Sequence, residues 1–310
     1  MAQGGVLEAR SEAPAASGAE RIVDVGHGMT ICVRDEGDPS GPPVLLVAGL
    51  GQQLNVWPSA FLDALRDRGL RVVRFDNRDV GRSGRAACRA PSPAQMLTRR
   101  FRADQYTLGA MAADTLALLD VLGIERTHLV GMSMGGMIAQ TVAARAPGRV
   151  LSLTSIMSTT GAPRIGRPAL STWARMARPP AGNREAAADG VVGMMRHVGS
   201  RGYPFAEEAV REMALEGWDR GGGSAADGVG RQLAAIFKSG DRTAEVARIE
   251  APTLVIHGDR DPMVHPSGGD ATAAAIPGAR LRTFPGMGHD LPADLCVQLS
   301  EEIAAHVAAA

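Results

Sequence analysis

Ser133 stands where a serine side chain could do chemistry, between glycines in the stretch GMSMG (131–135). With 38 glycines in the chain, this spacing would arise by chance in roughly one such sequence in four. The setting is more specific, because THLVGMS (127–133) predicts a buried strand and residues 134–145 predict a helix. A serine in such a turn faces the free amides of a helix N-terminus, which favour an anion. Ser133 is therefore the candidate nucleophile for attack on an acyl group.

A serine hydroxyl is a weak nucleophile unless a base removes its proton and a third group orients that base. His289 is the candidate base, because FPGMGHDLP (284–292) places it in a glycine-flanked loop directly after the last predicted strand. His257, within VIHGD, is expected to serve packing, and His265 lies in a proline-bounded loop, at the surface or beside the pocket. The other four histidines lie in a hairpin turn, at the far end of the Ser133 strand, in a helical insertion and in the last helix.

The candidate acid lies in HGDRDP, at the end of another predicted strand. Asp261 is placed further into this loop than Asp259, so its side chain has the better reach toward His289. Asp259, at the strand terminus, is expected to hold the turn. The preceding strand ends in LTSIMSTT without an acid, and Asp290 points elsewhere if its neighbour His289 points inward. Asp261 is therefore predicted to orient the base.

An oxyanion formed by attack of Ser133 needs two N–H donors. Met134, the residue after the nucleophile, is expected to supply one from its backbone. The backbone of Leu50 is expected to supply the other, because Gly49 and Gly51 on either side let the chain approach a substrate closely. These two glycines and Gln52 are candidate pocket residues, although Gly-Leu-Gly is also typical of a simple turn that ends a strand.

The elements that must position these residues alternate between strand and helix patterns. Such alternation predicts an α/β fold with a mainly parallel central sheet, helices on both sides and a leading hairpin that supplies antiparallel edge strands. In a parallel sheet, ligands bind at the carboxyl ends of the strands, where the candidate residues lie. The predicted strands are RIVDV (21–25), MTICVRDEG (29–37), PVLLVAGL (43–50), LRVVRFD (70–76), THLVGMS (127–133), RVLSLTSIM (149–157), PTLVIHGD (252–259) and ARLRTFPG (279–286).

One long segment interrupts this alternation, and its apolar and aromatic content favours a helical cap over a disordered loop. Its two tryptophans, Trp173 and Trp218, are candidate pocket residues. The predicted organisation is a disordered N-terminal tail (1–20), the first part of the α/β core (21–160), the helical cap or lid (161–248) and the second part of the core (249–310).

The overall composition excludes several classes of function. The 33 basic and 33 acidic residues balance to zero net charge, which argues against a nucleic-acid surface. The three cysteines have neither metal-ligand nor disulfide spacing, and the pattern predicts no metal and no cofactor. Neither a signal peptide nor a membrane span is recognisable, so the sequence predicts a soluble cytoplasmic protein whose partner is a small molecule. Nothing in the sequence indicates the oligomeric state.

Taken together, GMSMG, the order Ser133, Asp261, His289 and the loop FDNRDVGRSG resemble the α/β-hydrolase superfamily over nearly the whole chain. VAGLGQQLNVWP and PGMGHDLP are similar to stretches of an esterase-like branch that includes aclacinomycin methylesterase. Two positions depart from the pattern: many relatives have His-Gly where this chain has Ala48-Gly49, and many have glycine in place of Asp79. Asp79 and its neighbours Asp76 and Arg78 are interpreted as a structural network of the loop, although Arg78 could border the pocket.

The resemblance implies a cofactor-free serine hydrolase that cleaves carboxylic esters through an acyl-enzyme. A serine nucleophile excludes the dehalogenase and epoxide-hydrolase branches, which require aspartate. Four alternatives stay open: an ester or lactone hydrolase for a bulky natural product such as a polyketide or macrolide, a thioester or amide hydrolase, a perhydrolase, and a ligand receptor on a hydrolase fold.

Overall fold

Eight strands form one sheet in the part of the chain that the computed structural model describes, residues 18–223 and 225–310. The strands are β1 (Glu20–Asp24), β2 (Thr30–Glu36), β3 (Pro43–Val47), β4 (Arg71–Phe75), β5 (Thr127–Met132), β6 (Val150–Ile156), β7 (Thr253–Gly258) and β8 (Arg280–Phe284). Their order is β1-β2-β4-β3-β5-β6-β7-β8. The pairs β1–β2 and β2–β4 are antiparallel, and every other pair is parallel. The predicted mainly parallel sheet with an antiparallel hairpin at its edge is thus confirmed.

Helices connect the strands and cover the sheet on both faces. They are α1 (Ser59–Arg66), α2 (Pro93–Thr98), α3 (Leu108–Val121), α4 (Met134–Arg145), α5 (Leu170–Met176), α6 (Arg184–Val198), α7 (Glu207–Gly221), α8 (Ala226–Ser239), α9 (Thr243–Val246), α10 (Ser267–Ala275) and α11 (Ala293–Ala308). The sequence reading missed α2, although a capping box of Ser92 and Gln95 begins this helix. No helix of the described residues is long and apolar enough to cross a membrane.

The apolar run of β3 is buried because alternate side chains of a strand point to opposite faces of its sheet. Leu45 and Val47 belong to the core that α3 and α4 cover. Val44 and Leu46 belong to a second core, which α1 and α11 cover. A strand that faces two cores has to be apolar at every position, so it shows a continuous hydrophobic run in the sequence.

Residues 161–248, here called the inserted segment, contain five helices, α5 to α9, and no strand among the residues described. Buried ion pairs connect this segment to the loop after β4. Arg220 on α7 lies 3.0 Å from Asp76, and Arg231 on α8 contacts Asp79 through two hydrogen bonds of 3.0 and 2.7 Å. The loop carboxylates, which the sequence indicated as a structural network, thus bind the inserted segment.

The predicted N-terminal tail needs a correction at its boundary. Residues 1–17 lie outside the described residues, but the predicted tail continued to residue 20. Glu20 begins β1, and the amide of Gly18 already donates a hydrogen bond to the Asp35 carbonyl. The Glu20 carboxylate also accepts from Arg34 and Arg220, so its charge is compensated at the sheet edge. Pairing with β2 and these two cations give the chain a fixed position there.

Candidate active site

Ser133 occupies the single residue between β5 and α4, in a backbone conformation that is rare for a residue with a side chain. Its φ of 56° and ψ of −121° bring the chain around a sharp turn. Hydrogen bonds hold both ends of the residue: the Ser133 amide donates to the Ile156 carbonyl at 2.8 Å, and Ser158 Oγ donates to the Ser133 carbonyl at 2.9 Å. Strain of this kind, about 1–3 kcal/mol, persists only where the surrounding contacts enforce it.

The glycines around Ser133 are required by close approach of the backbone. A Cβ atom at Gly131 would overlap the Gly135 carbonyl, and one at Gly135 would overlap the carbonyl oxygen of Val47 on β3. Strand β5, helix α4 and strand β3 therefore meet without space for side chains. This contact sets the direction in which the Ser133 hydroxyl leaves the turn.

The structure brings Ser133, His289 and Asp261 together, although their elements are far apart in sequence. His289 Nε2 lies 3.0 Å from Ser133 Oγ, and His289 Nδ1 lies 2.6 Å from Asp261 Oδ2. The backbone amide of His289 donates to the Val198 carbonyl of the inserted segment at 2.7 Å. The three side chains thus form one hydrogen-bonded series from carboxylate through imidazole to hydroxyl, at the carboxyl end of the sheet.

Asp261 is only 3% exposed, and its two oxygens have different partners. Oδ1 accepts the amides of Met263 and Val264 at 2.8 and 2.9 Å, which leaves Oδ2 for His289. Burial by itself raises the pKa of the Asp261 carboxyl, but the neighbouring His289 and His257 outweigh it and bring the pKa to about 2. Asp261 is therefore ionised at neutral pH.

The competing acidic residues lie elsewhere in the structure. Asp259 accepts the Gly286 amide at 2.7 Å, so it holds the turn between the loops after β7 and β8. Asp290 accepts the Ser200 amide at 2.8 Å and points into the inserted segment. Burial raises the pKa of Asp290, while the hydrogen bonds from Ser200 lower it in part. Neither carboxylate has a hydrogen bond to His289 among the described residues.

His257 is buried, as expected, but it also approaches Asp261. Its Nε2 lies 2.8 Å from the Val264 carbonyl and 3.5 Å from Asp261 Oδ2. Because a carbonyl can only accept, Nε2 carries the proton and the ring is oriented toward the Asp261 loop. Gly269 on α10 leaves space for this ring, since a Cβ atom there would contact it at 2.6 Å. The sequence reading assigned His257 to packing and missed this contact.

The loop after β3 lies beside Ser133. A Cβ atom at Gly49 would come within 3.2 Å of Ser133 Cβ. The amides of Leu50 and Met134 have no intramolecular acceptor among the described residues, whereas the Gly49 amide is bound to Gln52 Oε1 at 2.8 Å. Gln52, predicted as a pocket residue, therefore holds the turn of this loop.

The two tryptophans of the inserted segment lie at different places. Trp173 on α5 is half-buried, with its ring 6.1 Å from that of Phe237 on α8. Its neighbour Thr172 donates to the Pro262 carbonyl, next to Asp261. Trp218 is half-buried on α7, and no hydrogen bond or ring contact of the described residues links it to Ser133. Both remain predicted pocket residues, and Trp173 lies on the helix that contacts the acid loop.

Two residues at the site were missed from the sequence. Ser158, two residues after the end of β6, donates a hydrogen bond to the Ser133 carbonyl, and its position near a strand end was a usable signal. Gln232 on α8 accepts the Gly51 amide at 2.9 Å and is fully buried. A glutamine among the apolar residues of one helix face could have indicated it. No group of three or more His, Cys, Asp and Glu side chains in residues 18–223 and 225–310 could hold a metal ion.

The chain belongs to the α/β-hydrolase fold family, whose model matches residues 42–294. It is 32% identical to rhodomycin D methylesterase DauP of Streptomyces sp. strain C5, over 91% of this chain and 96% of that protein. It is 31% identical to rhodomycin D methylesterase DnrP of Streptomyces peucetius, with the same coverage. Both relatives are carboxylic ester hydrolases, which bears out the predicted class of enzyme and the esterase-like branch.

Solved structures agree on the fold. A hydrolase from Pseudomonas aeruginosa PA01 superimposes with a TM-score of 0.67 at 28% identity, covering 95% of this chain and 98% of that one. The enol-lactonase from Burkholderia xenovorans LB400 superimposes with a TM-score of 0.70 at 23% identity, covering 93% of this chain and all of the other. The predicted α/β-hydrolase fold is confirmed.

Proposed function

We propose that this protein hydrolyses carboxylic esters through an acyl-enzyme on Ser133. The observation that carries the proposal is the hydrogen-bonded series, in which His289 lies 3.0 Å from Ser133 Oγ and 2.6 Å from Asp261 Oδ2. These distances are those required between a nucleophile, its general base and the group that orients the base. The methylesterase relatives support esters as the substrate class.

The proposed reaction proceeds in two steps, and in each step His289 takes one proton and gives it back. His289 Nε2 takes the proton of Ser133 as Oγ attacks the ester carbonyl, and the resulting imidazolium gives that proton to the departing alcohol. Water then attacks the acyl-enzyme, with His289 again as the base, and the acid leaves as Ser133 regains its proton. The ionised Asp261 carboxylate keeps the proton of the neutral imidazole on Nδ1 and stabilises the imidazolium in both steps.

The amides of Leu50 and Met134 are proposed to bind the oxyanion. Both lack an intramolecular acceptor in the described residues, and Met134 is the first residue of α4, where the positive end of the helix dipole adds to the attraction. Each such donor contributes about 3–4 kcal/mol to the stabilisation of a transition state. Gly49 lets this loop lie close to the nucleophile, because a Cβ atom there would come within 3.2 Å of Ser133 Cβ.

The inserted segment is proposed to act as a cap that selects a bulky substrate, a methyl ester of a natural product such as a polyketide. Three contacts support a position over the site: Val229 approaches Gly51, the Val198 carbonyl accepts the His289 amide, and Thr172 bonds the Pro262 carbonyl. The name of the relatives, rhodomycin D methylesterases, is the observation that favours this substrate class.

Ser133→Ala tests the proposed mechanism. The variant should fold normally and lose about 10⁶ in kcat on p-nitrophenyl acetate, because no other hydroxyl occupies the turn. A fluorophosphonate should label the wild type at Ser133 and leave the variant unlabelled. Ser40→Ala, at an exposed loop serine, is the matched control and should retain full activity. Turnover by Ser133→Ala within tenfold of the wild type would contradict the proposal.

A substrate panel tests the proposed size of the ester. A methyl ester on a tetracyclic aromatic polyketide should have a kcat/KM at least about tenfold above that of methyl benzoate, because a larger buried ring system contributes more binding energy in the transition state. The control is the Ser133→Ala variant with both esters. Preference for the small ester would remove the bulky natural product as the substrate and leave ester hydrolysis intact.

A further inference from the structure

The loop that holds Leu50 has its peptide groups fixed one after another. The Ala48 carbonyl accepts from Asn77 at 3.0 Å, and the Gly49 amide donates to Gln52 Oε1 at 2.8 Å. The Gly49 carbonyl, in the same peptide group as the Leu50 amide, accepts the Gln52 amide at 3.2 Å. The partners in these bonds, Asn77 and Gln52, belong to the α/β core and not to the inserted segment.

The next peptide group, between Leu50 and Gly51, is fixed from the inserted segment. Gln232 Oε1 accepts the Gly51 amide at 2.9 Å, and Gln232 Nε2 donates to the Arg78 carbonyl at 2.8 Å. Gln232 is fully buried, and both polar atoms of its side-chain amide form hydrogen bonds with backbone groups of the α/β core. We infer that Gln232 is a positioning residue, which holds the Leu50 amide in the direction that the oxyanion requires.

The inference rests on the proposed function and adds a role for the cap in the chemistry itself. Gly51 has a φ of +70°, in the left-handed region, and its amide faces Gln232 on α8. Without an acceptor, that half-buried N–H loses its partner, and the peptide group that carries the Leu50 amide is then held only by the bond from the Gln52 amide to the Gly49 carbonyl. The Leu50 amide is the free donor between two fixed neighbours, so its direction depends on both.

Helix α8 holds Gln232 in place because the turn of this helix before Gln232 packs against the loop after β4. Arg231 makes two hydrogen bonds to the buried Asp79 carboxylate. At Gly228 the helix lies so close to this loop that a Cβ atom would overlap the Asp79 carbonyl oxygen. A displacement of the cap at this helix therefore moves the acceptor of the Gly51 amide, and the oxyanion site is complete only while α8 is docked.

Two substitutions of Gln232 separate the proposed role from simple packing. Gln232→Met keeps the length of the side chain and removes both hydrogen bonds, whereas Gln232→Glu keeps an acceptor for the Gly51 amide. The matched control is Gln105→Met, because Gln105 is also buried, accepts the Arg102 amide at 2.8 Å and donates to the Arg89 carbonyl. Thermal melts identify any variant that fails to fold.

Steady-state kinetics give the first measurement. In Gln232→Met, kcat should fall about 10–100-fold, a part of the 10²–10³ that loss of an oxyanion donor produces, while KM stays within about threefold. The inhibition constant of an arylboronic acid, which forms a tetrahedral anion on the serine, should rise by the same factor as kcat falls. Gln232→Glu should lie between Gln232→Met and wild type, and Gln105→Met should match the wild type.

Hydrogen exchange gives a second measurement that does not depend on activity. Exchange of the Gly51 amide should be at least about tenfold faster in Gln232→Met and unchanged in Gln105→Met. An unchanged kcat in Gln232→Met, a loss confined to KM, or an equal loss in Gln105→Met would overturn the inference. A wild type that hydrolyses no ester overturns the proposed function instead, and the Gly51 exchange rate then decides by itself whether Gln232 holds the loop.

Discussion

Asp261→Asn is the substitution whose outcome the geometry determines most sharply. In the wild type, Asp261 Oδ1 accepts the amides of Met263 and Val264, and Oδ2 accepts from His289. An asparagine has one accepting oxygen and one donating nitrogen in place of the two oxygens. The two backbone donors require the oxygen, so the NH₂ group has to face His289 Nδ1.

This orientation reverses the tautomer of His289. Nδ1 would then accept from the asparagine and Nε2 would carry the proton, so Nε2 could no longer take the proton of Ser133. The imidazolium of the transition state would also lose its carboxylate. Together these changes should lower kcat by about 10³–10⁴, which corresponds to about 4–5.5 kcal/mol of transition-state stabilisation.

The assay is the hydrolysis of a p-nitrophenyl ester, with kcat and KM measured separately and folding followed by circular dichroism. KM should change little, because Asp261 makes its contacts away from the substrate. Asp259→Asn is the matched control on the same loop, and its kcat should stay within about threefold of wild type. If Asp261→Asn retains more than a tenth of the wild-type kcat with its fold intact, Asp261 is not the group that orients the base.

Three further predictions concern stability. Gly135→Ala places a methyl group on the Val47 carbonyl and should lower the free energy of unfolding by about 2 kcal/mol or more in urea titrations; an unchanged midpoint would contradict the close approach. Arg220→Met leaves the buried Asp76 carboxylate without its cation and should lower the free energy of unfolding by about 3 kcal/mol in the same assay. The double variant Asp76→Asn/Arg220→Met should lose less, because it also removes the buried charge that the single variant leaves unpaired. Burial and the nearby His306 and Arg126 lower the pKa of His128 to about 4. The unfolded chain alone then takes up this proton as the pH falls below about 6.5, so about 2 kcal/mol of stability should be lost by pH 4, and His128→Gln should abolish that part of the pH dependence.

The elements of the core could be predicted because their patterns are local. Strand β3 faces apolar residues on both sides, so a continuous hydrophobic run indicated it. Helix α2 was missed because it buries no side chain and therefore lacks the periodic apolar face on which such predictions depend. Glu20 was assigned to a tail because its ion pairs lie with residues 34 and 220, far away in the sequence.

The candidate site divides in the same way. Ser133, Asp261 and His289 could be proposed because each follows its own strand, and the parallel sheet brings the ends of strands together. Their catalytic role remains a prediction, which Ser133→Ala and Asp261→Asn test. Gln232 was not proposed, because its contacts to Gly51 and Arg78 depend on how α8 docks.

The sequence by itself determined the alternating strands and helices, the sharp turn at Ser133 and the order in which the candidate nucleophile, acid and base occur along the chain. These properties depend on neighbouring residues, so they are visible in local patterns. Only the tertiary structure decided that His289 lies between Ser133 and Asp261, and that Gln232 accepts the amide of Gly51, 181 positions away in the sequence. Contacts of this kind arise from packing between distant elements, which the spacing of residues along one element does not encode.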